Sequence, residues 1–154
     1  MEKTKDIYND DNNNFLTDTI SEMQEKCRKV RLKILDTVYN AGSGHIGGSF
    51  SATEFLTLLK SIYFKPGQDA IIISKGHISP LIYSLANIDG EISDEDMLKF
   101  REIDGRLQGH VSKGITKDLI YSAGSLGQGL SVANGIAIAK KHDSKKRKSF
   151  LCNR

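Results

Sequence analysis

Three features of this 154-residue chain predict an α/β fold built on a parallel sheet. The run "DAIIIS" (69–74) is short, continuous and β-branched, as strands buried on both faces are. Apolar residues on either side of it recur at steps of three and four, the period of a helix face. A second apolar run, "SFLC" (149–152), opens near the end of the chain. Helices placed between buried strands indicate a parallel sheet flanked by helices. Two strands are too few for a complete sheet, so the chain reads as part of such a fold.

The segment 1–19 is rich in Asn and Asp and reads as a disordered leader. From Ile20 the apolar residues fall at Ile20, Met23, Cys27, Val30, Ile34 and Val38, one helical stripe. Thr19 with Glu22 fits a capping box at its start, and Ala41-Gly42 fits a stop. The next helix is expected over 51–64, with Ser51 and Glu54 as its capping box and Phe55, Leu58, Leu59 and Ile62 as its buried face. Lys65-Pro66-Gly67 is a turn. After the strand and "KGHISP" comes an apolar helix through Leu81, Ile82, Leu85 and Ala86. "SDEDMLKF" (93–100) is a short helix with acidic residues in its first turn, and "GRLQGH" (105–110) is a loop. A last helix is expected from Leu126 to Lys141 although it carries Gly127, Gly129 and Gly135. Each interior glycine costs roughly 1 kcal/mol against Ala. The return expected for that cost is a smooth face that lets another backbone approach closely.

Composition narrows the function classes. The net charge of +3 comes mostly from "KKHDSKKRK" (140–148), a solvated helix end rather than a nucleic-acid surface, since no aromatic residues interleave with it to stack on bases. No apolar run approaches membrane-spanning length, and the N-terminus lacks the apolar segment of a signal peptide. A cytoplasmic protein that works away from membranes is expected. Cys27 and Cys152 form no metal-ligand pattern and read as reduced thiols, Cys27 as a small core residue.

Residues 42–48, "GSGHIGG", match the dinucleotide fingerprint literally, but a helix precedes them where that fingerprint needs a strand. The glycines serve the histidine instead. Three histidines share this setting, His45, His77 and His110, each following a glycine in a loop at an element boundary. Glycine lets the backbone approach a ligand, and histidine offers a donor, an acceptor and a near-neutral pKa. A tri-histidine zinc site is a chemical alternative, but spacings of 32 and 33 residues match no local ligand motif. His142 lies in the basic cluster and reads as a surface residue. No Gly-x-Ser-x-Gly elbow or Walker A sequence occurs.

The blocks "AGSGHIGGSFSA", "SKGH", "LQGH" and "AGSLGQGLSVANGIAIA" occur in an order and at a spacing that resembles the transketolases. The resemblance covers about residues 20–151 and is to the N-terminal, diphosphate-binding domain of that family, so residues 20–154 read as a partial domain of this kind. The "GGS" form is most similar to the N-terminal subunit of two-subunit transketolases. A deoxyxylulose-phosphate synthase shares the cofactor, but its first histidine block differs. The resemblance implies an incomplete thiamine-diphosphate-binding fold and the transfer of a two-carbon ketol unit between sugar phosphates, as in the pentose phosphate pathway. It further implies that His45 and His110 face the sugar near the reactive thiazolium carbon, that His77 contacts the diphosphate, and that Gly124 and Leu126 touch the cofactor through backbone atoms. Thiamine diphosphate and Mg²⁺, or Ca²⁺ in its place, are the implied cofactors. A C-terminal transketolase subunit, or the remainder of the chain, is the implied partner.

Departures from the family pattern accompany the resemblance. Ile46 and Val111 stand where the family commonly has proline after each histidine. The Gly-Asp-Gly motif and the later asparagine that hold the metal in the family do not follow "SFLC", nor does the domain with the activating glutamate. The expectation is therefore an enzyme part that is inactive alone. A truncated, non-catalytic fragment is the alternative, and a dinucleotide-binding protein the weaker one.

Overall fold

The computed structural model describes residues 10–144 and 148–152. Helix α1 runs Asp10–Asn40. Its predicted stripe is the buried one: Val30 and Ile34 are fully enclosed, with Cys27 and Val38 nearly so, while Ile20 stays half exposed. The helix stops where expected, with Gly42 at φ +64° and its amide donating to the Tyr39 carbonyl at 3.1 Å. It starts earlier than expected. Extending a formed helix adds one hydrogen bond per residue, so residues 10–19 continue the packed segment, and Thr19 lies inside the helix rather than capping it. The first nine residues of the expected leader lie outside the described residues.

The single helix predicted over 51–64 is two short helices, α2 (Ile46–Ser51) and α3 (Thr53–Leu58), followed by one π-helical turn, Leu59–Tyr63. Ser51 is no cap. Ala52 holds that position, and the Ser51 hydroxyl donates to the Gly48 carbonyl. The expected buried face is also displaced. Phe55, Leu58 and Ile62 are 39–51% exposed, and the interior takes Ala52, Thr53, Leu56, Thr57 and Leu59. Threonine explains part of the miss. Thr53 donates its hydroxyl to the Ser49 carbonyl at 3.0 Å, so its methyl can be buried at no polar cost. Glu54, expected to cap, pairs with Arg31 of α1 instead.

The turn at 65–69 leads into strand β1 (Ala70–Ile73), all four residues buried. A 3-10 turn, Gly76–Ile78, connects β1 to helix α4 (Ser79–Ile88). Helix α5 (Asp94–Leu98) is acidic in its first turn and capped by Ser93, whose Oγ accepts from the Asp96 amide at 3.1 Å. A long irregular stretch follows, then helix α6 (Gly129–His142) and strand β2 (Ser149–Cys152). The two strands pair in parallel, with Ala70 opposite Ser149 and Ile73 opposite Cys152. On its other edge β1 makes an isolated parallel bridge from Ile71 to Leu119.

The sheet separates two layers. Ile71 and Ile73 point into the main core with α1, α3 and α4, while Ala70 and Ile72 point to Ala133 of α6. Alternate residues of a strand face opposite sides, which is why a run with no polar residue was needed. Among the described residues no helix is long and apolar enough to cross a membrane. Cys27 and Cys152 are both buried and free.

The glycines of the last helix divide differently from the expectation. Gly127 is outside α6, in the preceding turn, with φ +87°. Gly129 is the first helical residue and makes the expected close approach, since a Cβ there would lie 2.6 Å from the Ser74 Cβ. Gly135 faces open space, so close packing does not account for it.

Candidate functional site

The C-terminal end of β1 is where the predicted site residues gather. The chain leaves the strand through Ser74, whose amide donates to the Cys152 carbonyl at 2.9 Å, and turns at Gly76. That turn presents His77, half-buried, at the mouth of α4. The His77 ring meets His110 edge-on with centroids 4.6 Å apart, and His45 edge-on at 4.7 Å. Three loops far apart in sequence thus converge on one row of imidazoles with His77 in the middle. Gly76 is required there: a Cβ would meet His110 Cδ2 at 2.9 Å and the Ala123 carbonyl oxygen at 3.1 Å.

The His110 loop is fixed from below by α4. Ser79 Oγ donates to the Gly109 carbonyl at 2.8 Å, and the Tyr83 hydroxyl to the His110 carbonyl at 3.0 Å. Val111 is buried, and its amide donates to the Gly76 carbonyl at 3.3 Å. Proline, common here in the resembled family, has no amide to donate. Valine therefore ties the His110 loop to the His77 turn by a bond that proline would forgo. The other departure has a similar account. Ile46 is the first residue of α2 and His45 its N-cap, a position after which proline is merely favoured. The His45 loop is held by packing, since a Cβ on Gly44 would lie 2.6 Å from Val38 Cγ2, and by Ser49 Oγ donating to the His45 carbonyl at 2.7 Å.

The electrostatics favour an uncharged His110. Partial removal from water holds its imidazole below the usual histidine range, and the nearby His77, His45 and Arg101 act the same way. His45 and His110 are exposed, so the row is open to a ligand. Gly124 and Leu126 lie in the exposed turn before α6, a segment tied to the same end of β1. Ala123 abuts Gly76, its amide donates to the Val111 carbonyl, and the Gly129 amide donates to Ser74 Oγ at 3.1 Å. A Cβ at Gly124 would meet nothing within 4 Å, so its backbone is open to contact. His142 lies apart, exposed at the end of α6 beside Asp143. Residues 145–147 of the basic cluster fall outside the described residues. Among the described residues no group of three His, Cys, Asp or Glu side chains is disposed to hold a metal ion, the histidine row included.

Sequence reasoning missed the supports. Ser74, Ser79 and Tyr83 are almost wholly enclosed, and each uses its hydroxyl within the site. The one signal was a tyrosine inside an apolar helix, since a buried phenol needs a partner. Arg101, at φ +69°, was missed as well, and its guanidinium lies against Gly109.

Comparison with known proteins gives consistent matches. The family model for the transketolase thiamine diphosphate binding domain matches residues 22–149. A transketolase of Buchnera aphidicola is 34% identical over 127 residues, 77% of this chain and 19% of that protein. One subunit of the apulose-4-phosphate transketolase of Actinobacillus succinogenes is 35% identical over 144 residues, 84% of this chain and 50% of that subunit. Among solved structures, transketolase from Campylobacter jejuni superposes with a TM-score of 0.67 at 31% identity, over 77% of this chain and 20% of that one. Transketolase from Leishmania mexicana gives 0.78 at 24% identity, over 84% and 22%, a likeness of fold. The chain thus spans between about a fifth and a half of the length of these relatives.

Proposed function

This chain belongs to the transketolase family, through its thiamine diphosphate-binding domain, and from that premise we propose that its histidine row is the sugar- and diphosphate-facing part of a ketol-transfer site. The observation that carries the reading is the edge-to-face contact of His77 with His45 and with His110, brought from three loops to the end of one strand. His45 and His110 hydrogen-bond the sugar phosphate, His77 meets the diphosphate, and the open backbone at Gly124 and Leu126 lines the cofactor. When bound, thiamine diphosphate supplies the electron sink for the two-carbon unit. The chain's own part is proton handling. A His110 ring held neutral near pH 7 has a free ring nitrogen to accept a hydroxyl proton from the sugar, and His45 orients the polyol beside it.

The described residues hold no group of three His, Cys, Asp or Glu side chains for Mg²⁺ or Ca²⁺, and on this reading the metal ligands lie on groups beyond them. Together with the relative that is one subunit of a transketolase, that supports a site completed by a C-terminal transketolase subunit or by further sequence. It also favours a second reading, a chain with no activity of its own. Calorimetric titration of the chain with thiamine diphosphate and Mg²⁺ separates the two readings: the first expects no tight binding alone and binding once the sequence with the metal motif and a C-terminal subunit are both supplied, the second no binding in either case. In the completed enzyme His110→Ala lowers kcat by roughly 10²–10⁴-fold, the usual loss of a positioned proton-transfer group. Ketol transfer at the wild-type rate by that variant overturns the role given to His110.

A further inference from the structure

Four hydrogen bonds fall on the two peptide groups that flank the Cα of His110. The peptide before it is held at the Gly109 carbonyl by Ser79 Oγ, 2.8 Å away. The peptide after it is held at both ends, the His110 carbonyl by the Tyr83 hydroxyl at 3.0 Å, with the Ser112 hydroxyl donating to the same oxygen at a longer 3.4 Å, and the Val111 amide by the Gly76 carbonyl at 3.3 Å. A residue whose two peptide planes are fixed has its φ and ψ fixed, and with them the direction of its Cα–Cβ bond. Two of the four bonds come from one helix, at Ser79 and Tyr83, four residues apart and so on one face of α4. Neither side chain is solvent-exposed, so neither reaches a ligand. Tyr83 is further wedged by Phe100, edge-on at 6.1 Å.

We propose that Ser79 and Tyr83 are positioning residues, which aim the His110 imidazole at the row by holding the peptide on each side of it. The proposal rests on the reading that this imidazole meets the substrate, and it gives α4 a second task besides packing. It also accounts for a buried tyrosine where leucine or phenylalanine would fill the same apolar helix. A phenol in that interior is costly unless its hydroxyl is bonded, and here its bond goes to the residue that has to be aimed.

The test is an NMR titration of the histidine rings in the full chain, with no cofactor or substrate present. In Tyr83→Phe and in Ser79→Ala the His110 titration moves upward toward the ordinary value of about 6.5, because a freed loop lets the ring return to water. The nuclear Overhauser contacts between the His110 and His77 rings weaken in step. Thr37→Val is the control for a merely structural loss. Thr37 also buries a hydroxyl that donates to a carbonyl, Lys33 at 2.7 Å, but within α1 and away from the row. That variant lowers the melting temperature and leaves the His110 curve in place. Ser79→Thr, which restores a hydroxyl, returns the curve to the wild-type position. Should Tyr83→Phe fail to fold, the Ser79→Ala and Ser79→Thr pair gives the same reading. Titration curves and ring contacts unchanged in the folded variants overturn the positioning role. Failure of the substrate reading shows up elsewhere, as normal ketol transfer by His110→Ala.

Discussion

On one face of β1, Ile71 and Ile73 sink into a cluster that runs from Val30 and Ile34 of α1 through Leu81 and Leu85 of α4 to Leu107 and Val111. On the other face, Ala70 and Ile72 meet Ala133 of α6, with Tyr121, Ile136 and Leu151 half-buried around them. The same strand is thus the floor of a full core on one side and of a thin layer on the other. The site follows the thick side. All three histidine loops are held by residues of that core or its rim: Val38 beneath Gly44, Tyr83 beneath His110, and Val111 on the Gly76 turn. Contact with α6 comes through backbone at its first turn, and the outer side of that helix leaves Leu130 49% and Ile138 70% exposed. The difference separates two jobs. One layer makes the fold and aims the histidines, and the other lays a smooth helix on the strand.

If that division holds, truncations on the two sides are unequal. Leu85→Ala, at a fully enclosed position of α4, should cost about 2–5 kcal/mol, the range for emptying a packed core position. Ile136→Ala, half-buried on the strand-facing side of α6, should cost less than half as much. Urea unfolding of the two variants measures both, and equal losses would mean that the layers are equally tight.

The glycines sharpen the same comparison at smaller scale. At Gly129 an added Cβ lies 2.6 Å from the Ser74 Cβ and 2.9 Å from its Cα, backbone that cannot easily retreat. Gly129→Val should therefore cost at least about 1–3 kcal/mol, as overpacking does. Gly135→Ala meets nothing within 4 Å and should instead stabilise α6 by up to roughly 1 kcal/mol. Melting temperatures moving in opposite directions are the expected result, and a shared sign would show that α6 sits elsewhere on the strand.

How far the sequence foretold this depends on what each residue does. The strand was legible because both of its faces are apolar and it could be nothing else at that length. The row was legible as three glycine–histidine pairs, since glycine marks a place where something must come close, as His110 does over Gly76. The 51–64 region was misread for a physical reason. Burial there goes to Thr53 and Thr57, while Phe55 and Ile62 face outward, and a pattern that counts threonine as polar selects the wrong side. The split after Ser51 and the π-helical turn shift the phase again. The supports at Ser79 and Tyr83 left almost no mark, because a hydroxyl that bonds a distant backbone carbonyl has no sequence period.

Titration probes the thick side alone. Burial pushes the Tyr83 hydroxyl up to about 12. The folded state therefore keeps a proton that the unfolded chain releases near pH 10, so stability is full below about 10 and falls as pH rises toward 12. Tyr83→Phe should abolish that alkaline loss. His110 works in the opposite direction at the acid end. Its folded pKa lies below the usual range, so the unfolded chain takes the proton first, and stability is full above about 6.5 and declines as pH falls. The ring is exposed, so this decline should be slight. Denaturant midpoints across the two windows check both signs, and stability that rises between pH 10 and 12 would contradict the buried phenol.

The smallest effect on stability should come from the outer side of α6, where it is also most informative. Ile138 is 70% exposed near the helix end, next to Lys140 and Lys141. Ile138→Lys removes apolar surface that no described residue covers and adds a cation where the helix dipole favours one. Its stability should stay within about 0.5 kcal/mol of wild type, as for surface changes away from any packed feature. Its association should not stay the same. Leu130 and Ile138 each leave apolar surface exposed on this helix, and such surface should draw copies of the chain together as concentration rises. Sedimentation of wild type and Ile138→Lys over a concentration series should show less self-association in the variant at an unchanged unfolding midpoint. A midpoint that falls with the substitution would place Ile138 inside the thin layer rather than outside it, and the two faces of β1 would then be more alike than their cores suggest.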